Sequence, residues 1–400
     1  MFVDDDLGVL MDLERNLQKM SAKWEMVFYV DPREALAHLA DGTVDLVVSD
    51  LHIHGMGDAI FLGAAAACSP HTIRFALSEP DDAEEALQLA DICHQVLTKP
   101  CEPRRLVAKA LRALAGQDLL PDRDMQAKVS RIHQLPSRPD IHELLVKELS
   151  GDHPSFENIA ALVSEDVALT AKVLQIASCS LFSADGVTPG LVTAVSRLGV
   201  PRVTAVVRNH GVEAECASRL PEDFSLSGLW LHSYACAIVS QAIASFEKQP
   251  STVVEHAFIA GLLHDIGRLV MAASEPGLYA KMIADVGDPD SARGLDSEAR
   301  IFRSTHPRFG AYLVGLWGFS EDIVDAVAYH HAPSQCPDTG LGPLTFIHAA
   351  EAFCRIPHDG QGAVELALDD DPYYQALGVT DRLAGWRDVT DRMMAEEAVA

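Results

Sequence analysis

The stretch GLLHDIGRLV, Gly261–Val270, decides how the second half of the chain folds. It sets a histidine and an aspartate side by side in an otherwise apolar run, the pattern of a core helix. Burying an imidazole and a carboxylate there is costly unless something satisfies them. A catalytic metal would do so, and so would hydrogen bonds within the core. Outward from this run, from IHELLVKELS to about residue 356, the chain reads as helices with short breaks, as in FENIAALVSEDVALTAKVLQIAS and SEDIVDAVAYHH. No strand signal interrupts them.

Further histidines lie along these helices: His232 in LWLHSYACA, His306 in STHPRFGAYL, and His330 with His331 in AYHHAPS. Glu351 follows in FIHAAEAFCR. Neighbours such as His264 and Asp265 diverge on a helix and cannot share a face as an i, i+4 pair does. They can still serve one centre if the helix points edge-on, or if the aspartate bridges two ions. Imidazoles with carboxylates suit iron, manganese or zinc, and hydrolysis would then use a metal-activated water. Taken singly, His232 or His306 reads first as a hydrogen-bonded core or helix-end histidine. His264 and Asp265 could equally lock the bundle together with no metal. Arg268 and Arg308 are the nearest candidates for gripping a phosphate.

Residues 1–116 alternate short apolar runs, VDLVVSD (44–50), TIRFALS (72–78) and HQVLTKP (94–100), with helical periods such as DPREALAHLADG and PRRLVAKALRALAG. That alternation predicts a parallel sheet covered by helices on both faces. In such sheets the site lies at the carboxyl ends of the strands. Asp4 and Asp5, Asp50, Ser78 and Lys99 all fall at strand ends. Three carboxylates in one place repel one another unless a cation joins them. Hard oxygen ligands favour Mg²⁺, and a lysine with a hydroxyl can hold the oxygens of a transferred phosphoryl group.

At 400 residues the chain is long enough for two or three units. The proline- and charge-rich stretch 115–140 supplies a linker. The expected division is 1–116, a linker at 117–135, a helical unit at 136–356 and a helical extension at 357–400. That extension contains the acidic turn LALDDDP. The balance of 31 basic against 58 acidic residues, net −27, opposes nucleic acid and anionic membrane surfaces as partners. No basic leader begins the sequence, and no apolar run approaches the roughly 20 residues of a transmembrane helix. The eight cysteines are scattered, as for reduced thiols in the cytoplasm. The stretch SADGVTPG (183–190) reads as a turn before it reads as a ligand loop.

The first unit resembles the response-regulator receiver domain, over its whole length. The resemblance implies a flavodoxin-like, doubly wound five-stranded parallel sheet, phosphorylated on Asp50 by a sensor histidine kinase. Asp5, helped by Asp4 and the His52 carbonyl, would hold Mg²⁺ beside Asp50, and Ser78 and Lys99 would sense the phosphoryl group. His54 stands where the family usually has proline, and Val96 where many members carry a switch aromatic. The second unit resembles the HDOD domain, a relative of the HD phosphohydrolases, on LPSRPDIHELL, SEDVALTAKVLQIAS, AVSRLGV, LWLHS, AGLLHDIGRL and HHAP. HDOD domains are generally regarded as regulatory or interaction modules. This copy keeps His232, His264, Asp265, His306, His330 and His331 at HD metal-ligand positions, with Glu351 at the last, where iron, manganese or zinc would bind. No GYP follows the paired histidines, and Gly228 stands where the HD-GYP enzymes carry an acid, which counts against a phosphodiesterase of that type. The expectation is a cytoplasmic phosphorelay regulator, open to homodimerisation, whose all-α output acts on a protein partner. A receiver-gated, metal-dependent phosphohydrolase is the alternative.

Overall fold

The computed structural model describes residues 1–20, 22–54, 56, 60–79, 90–183, 186–209, 220–222, 224–287, 292–338, 340–354, 368 and 371–397. Most of the LALDDDP turn and part of SADGVTPG lie outside the described residues. The amino-terminal unit contains β1 (Phe2–Val3), α1 (Leu7–Leu17), β2 (Phe28–Tyr29), α2 (Pro32–Leu39), β3 (Leu46–Asp50), α3 (Ile60–Cys68), β4 (Ile73–Ser78) and β5 (Gln95–Thr98). The five strands form one parallel sheet in the order β2-β1-β3-β4-β5. Alternation along the strands builds two faces, as a pleat requires. Leu46, Val48, Ile73, Phe75 and Leu77 enter one core, while Val47 and Ala76 enter another with Leu39, Phe61 and Leu62. Because the chain runs out from β1 to β2 and then crosses back to β3, a crevice opens at the carboxyl ends of β1 and β3.

Helix α4 (Pro103–Leu119) closes this unit and runs into the stretch expected to be a linker, which also holds α5 (Arg123–Val129). Asp122 caps α5 by accepting from the amides of Asp124 and Met125. Val129 is buried, and the carbonyl of Ser130 takes a hydrogen bond from Arg74 of β4. That guanidinium also binds the carbonyls of Ile92 and Thr72, and burial pushes its pKa down to about 10. Proline and charge mark a polar segment, but here its polar groups anchor a buried arginine.

Among the described residues, the regular structure of the remainder is helical. It comprises α6 (Pro139–Leu149), α7 (Phe156–Ser164), α8 (Val167–Ala177), α9 (Leu191–Asn209), α10 (Leu226–Phe246), α11 (Ser251–Leu263) and α12 (Ile266–Ser274). These are followed by α13 (Pro276–Val286), α14 (Ala292–Phe302), α15 (His306–Leu316), α16 (Glu321–Tyr329), α17 (Pro343–Cys354), α18 (Pro372–Leu377) and α19 (Leu383–Glu397). Two spans, Leu226–Phe246 and Ser251–Ser274, reach the length and apolarity of membrane helices, contrary to the sequence reading. Half of the most apolar 18 residues of the first and 83% of those of the second are buried inside the fold, as in core helices. The carboxyl-terminal helices add a second apolar cluster around Trp386 and Tyr374, against α10 and α17.

The sheet and the helices share a continuous apolar core, running from Phe2 and Leu10 through Leu106 and Ala113 to Tyr312 and Trp317. The outer edge of β5 is covered by the turn after α8. Ser180 donates from its amide and hydroxyl to the Val96 carbonyl, and its hydroxyl accepts from the Thr98 amide at 3.1 Å. Polar ties surround this seam: Gln95 to the Leu316 carbonyl, Arg105 to the Ser183 carbonyl, and buried Lys172 to Asp91 at 2.7 Å.

Candidate functional site

Two clusters of ionisable side chains stand out. The first lies in the sheet crevice. Asp4 and Asp5 follow β1, Asp50 ends β3, Ser78 ends β4 and Lys99 follows β5. Oxygens of Asp4, Asp5 and Asp50 lie within 4.8 Å of one another. The Lys99 ammonium is 2.8 Å from Asp50 Oδ1 and 3.6 Å from Asp4 Oδ2. Asp4 is nearly inaccessible, and desolvation raises its pKa, as expected where carboxylates crowd. Such a set fits a hard, oxygen-binding cation. His54 turns back onto Asp5 through both its amide and its ring. The Ser78 hydroxyl donates to the Glu79 carbonyl at 3.2 Å.

The second cluster lies where helix ends meet. The run around His264 and Asp265 is not one continuous helix. Helix α11 ends at Leu263, α12 begins at Ile266, and Asp265 between them has φ −98° and ψ 6°. The break removes the helical divergence expected of adjacent residues, and both side chains face one centre. Two glycines make the surrounding crossings close enough. A Cβ on Gly261 would lie 2.4 Å from Ala237 Cα of α10, and one on Gly267 would lie 1.9 Å from the His306 carbonyl oxygen of α15.

His306 opens α15, His330 and His331 follow α16, His232 lies on α10 and Glu351 on α17. The structure brings all seven sequence-selected residues into one chain of contacts. His306 Nε2 is 3.0 Å from Asp265 Oδ1, and His330 Nε2 is 3.9 Å from the same oxygen. His264 Nε2 is 3.6 Å from Asp265 Oδ2. The rings of His232 and His264 lie 5.3 Å apart, His331 Nε2 is 3.2 Å from His306 Nε2, and His331 Nδ1 is 3.3 Å from Glu351 Oε1.

Protonation follows from the partners. Carbonyl oxygens only accept, so His264 Nδ1 donates to Gly261 at 2.7 Å and His330 Nδ1 donates to Val327 at 2.8 Å. Burial and the neighbouring imidazoles hold His330 far below its usual pKa, so its ring is neutral. Its Nε2 and that of His264 are buried with no hydrogen-bond partner. Burial would lift the Asp265 carboxyl, but Arg268, His264 and His306 outweigh it and keep the group ionised. Burial likewise opposes charge on His306, yet Glu298 and Asp265 together raise its pKa to about 9.

Buried imidazole nitrogens around an ionised carboxylate, once deprotonated, form a donor set for a first-row divalent metal. Ligands bonded at about 2.0–2.3 Å stand roughly 3–3.6 Å apart, the spacing of most of these pairs. Glu298 accepts from His306 Nδ1 at 2.9 Å, the carboxylate backing that orients a ligating histidine.

Sequence reasoning missed Glu298 and Cys236. Glu298 lies eight positions before His306 across a helix break, so no periodicity links them. Cys236, one turn beyond His232, was open to an i, i+4 reading. Arg268, considered as a phosphate grip, instead pairs with Asp265 at 3.1 Å and is 6% exposed. Of the two arginines considered, only Arg308 stays exposed.

The protein is thus a parallel α/β unit with an acidic crevice, joined to an all-α domain built around a histidine–aspartate cluster. Within the all-α part, residues 135–333 match the family model for the HDOD domain. The match ends before α17, so Glu351 lies beyond it. An uncharacterized protein of Treponema pallidum (strain Nichols) is 22% identical over 216 residues, 53% of this chain and 40% of that protein's length. The MmoQ response regulator of Methylococcus capsulatus str. Bath is 21% identical, covering 64% of this chain and 98% of that chain, with a TM-score of 0.48. An HDOD domain protein of unknown function from Geobacter sulfurreducens is 20% identical, covering 70% of this chain and 98% of that chain, with a TM-score of 0.38.

Proposed function

We propose that the chain is a cytoplasmic phosphorelay response regulator. In this reading the α/β unit is a flavodoxin-like receiver, and the HDOD domain is a signalling output that engages a protein partner. The observation that carries it is Lys99, 2.8 Å from Asp50 among three crowded carboxylates at the strand-order reversal. Asp4, Asp5 and Asp50 would hold Mg²⁺, which supplies charge neutralisation for an incoming phosphoryl group. An Asp50 carboxylate oxygen forms the new bond to phosphorus as the bond to the phosphohistidine nitrogen of a sensor kinase breaks. Lys99 then passes from the Asp50 carboxylate to the phosphoryl oxygens, with Ser78 beside them.

Lys99 follows Thr98, whose amide is held by Ser180 of the helical domain. A shift of Lys99 therefore pulls on the seam between the units through the backbone. That contact supplies a route where Val96 replaces the aromatic expected of many receivers. Full-length protein incubated with acetyl phosphate and Mg²⁺ is expected to take up one phosphoryl group, and Asp50→Asn is expected to take up none. Undiminished uptake by the variant would remove Asp50 from its assigned role.

The alternative, a receiver-gated metal-dependent phosphohydrolase, draws support from one observation: the buried, unpartnered Nε2 atoms of His264 and His330 beside Asp265. It makes a separate prediction. Wild-type protein analysed by plasma mass spectrometry is expected to carry near-stoichiometric iron, manganese or zinc. A His264→Ala/Asp265→Ala double variant is expected to carry none. Metal-free protein in both cases, even after reconstitution, would make the cluster a structural lock.

A further inference from the structure

Asp265 presents its two oxygens to different neighbours. Oδ1 faces His306 and His330, whereas Oδ2 faces His264. The His264 side contains a sulfur. Cys236 lies one turn after His232 on α10, wholly buried, with its Sγ 3.6 Å from His232 Nε2. Donor atoms of His232, Cys236 and His264 lie within 4.8 Å of one another. Ligands of a tetrahedral ion, with bonds of about 2.05 Å to nitrogen and about 2.3 Å to sulfur, stand about 3.6 Å apart. The His232–Cys236 pair already has that separation. Independently, His264 Nε2 is fully buried in this group with no hydrogen-bond partner. A buried ring nitrogen left without a partner is costly, and coordination to a metal would satisfy it.

We propose that Cys236 is a thiolate ligand to zinc, together with His232, His264 and Oδ2 of Asp265. This sulfur-containing site would lie against the nitrogen- and oxygen-only site of Asp265, His306, His330 and His331. The proposal rests on the helical domain binding metal and goes further, giving the two halves of the cluster different chemistry. Imidazole and carboxylate alone suit manganese or iron, whereas a thiolate shifts preference toward zinc. Binding exchanges the thiol proton for a zinc–sulfur bond and releases that proton to solvent. Burial, with Cys354 alongside, pushes the free thiol's pKa well up, so without metal Cys236 packs as a neutral group.

The test uses full-length protein stripped of metal and reloaded with Co²⁺, a spectroscopic stand-in for zinc. Wild type and Cys354→Ser are expected to show a near-ultraviolet sulfur-to-cobalt charge-transfer absorption. Cys236→Ser is expected to lose it while retaining cobalt at the second site. Cobalt bound to the wild type without that absorption, or loss of the absorption in Cys354→Ser instead, would overturn Cys236 as the ligand and leave metal binding standing. Failure of any cobalt to bind would overturn both. Zinc-edge X-ray absorption of the zinc-loaded wild type needs no variant. One sulfur at about 2.3 Å is expected, and a first shell of nitrogen and oxygen alone would refute the assignment.

Discussion

Gly267→Ala is expected to leave the helical domain without a stable fold. The added Cβ would lie 1.9 Å from the His306 carbonyl oxygen and 2.7 Å from the Gly310 amide nitrogen. Both obstacles are backbone atoms of α15, so no side chain can rotate away, and α12 and α15 must separate. Overpacking by side chains alone costs about 1–3 kcal/mol. Forcing two helix backbones apart is expected to exceed about 3 kcal/mol, a large share of the roughly 5–15 kcal/mol that holds an ordinary domain. The same separation would draw His306 off Asp265. Urea denaturation followed by far-ultraviolet circular dichroism reads the effect. Gly277→Ala in α13 is the control, since nothing lies within 4 Å of its new Cβ. A midpoint for Gly267→Ala near that of the control would mean that the helices do not approach as described.

Asp265→Ala is expected to destabilise the metal-free protein by about 3–5 kcal/mol, the usual cost of stripping one partner from a buried ion pair. The carboxylate faces Arg268 at 3.1 Å and His306 at 3.0 Å, all three groups nearly inaccessible. His306 would keep Glu298, and Arg268 would lose its contact with Asp265 at the centre of the bundle. The measurement is the unfolding free energy of chelator-treated wild type and variant. A loss below about 1 kcal/mol would contradict the electrostatic account of the cluster, whatever metal the protein carries. Asp265→Asn preserves shape while removing charge, and separates the electrostatic share from packing.

These residues also show where a sequence reading reaches its limit. Asp4, Asp50, Ser78 and Lys99 were legible because a parallel sheet delivers the ends of its strands to one edge, whatever lies between them. The helical histidines were legible as a set, but their mutual geometry was not. His264 and Asp265 converge through a break between α11 and α12 that an uninterrupted apolar pattern conceals. Its cause is tertiary: Gly261 and Gly267 admit α10 and α15 at backbone distance, and those partners are remote in sequence. Glu298 was hidden because it meets His306 across the turn that joins α14 to α15, a contact that no helical period announces. The stretch around Arg123–Val129 reads as a linker by composition, and its helix is set by what Arg74 and the sheet require of it.

The covered edge of β5 bears on how such a chain can be reassembled. Domains joined as beads on a string can be exchanged by recombination anywhere in the intervening thread. Here Ser180 completes the hydrogen bonding of the last strand, Lys172 neutralises Asp91 in the loop before it, and Gln95 ends on a carbonyl of α15. A new output grafted at the linker would need a turn with a hydroxyl at the right height, a buried cation and a helix end of matching position. Exchanging one half therefore requires a matching change in the other, because β5 bonds to residues more than 80 positions downstream.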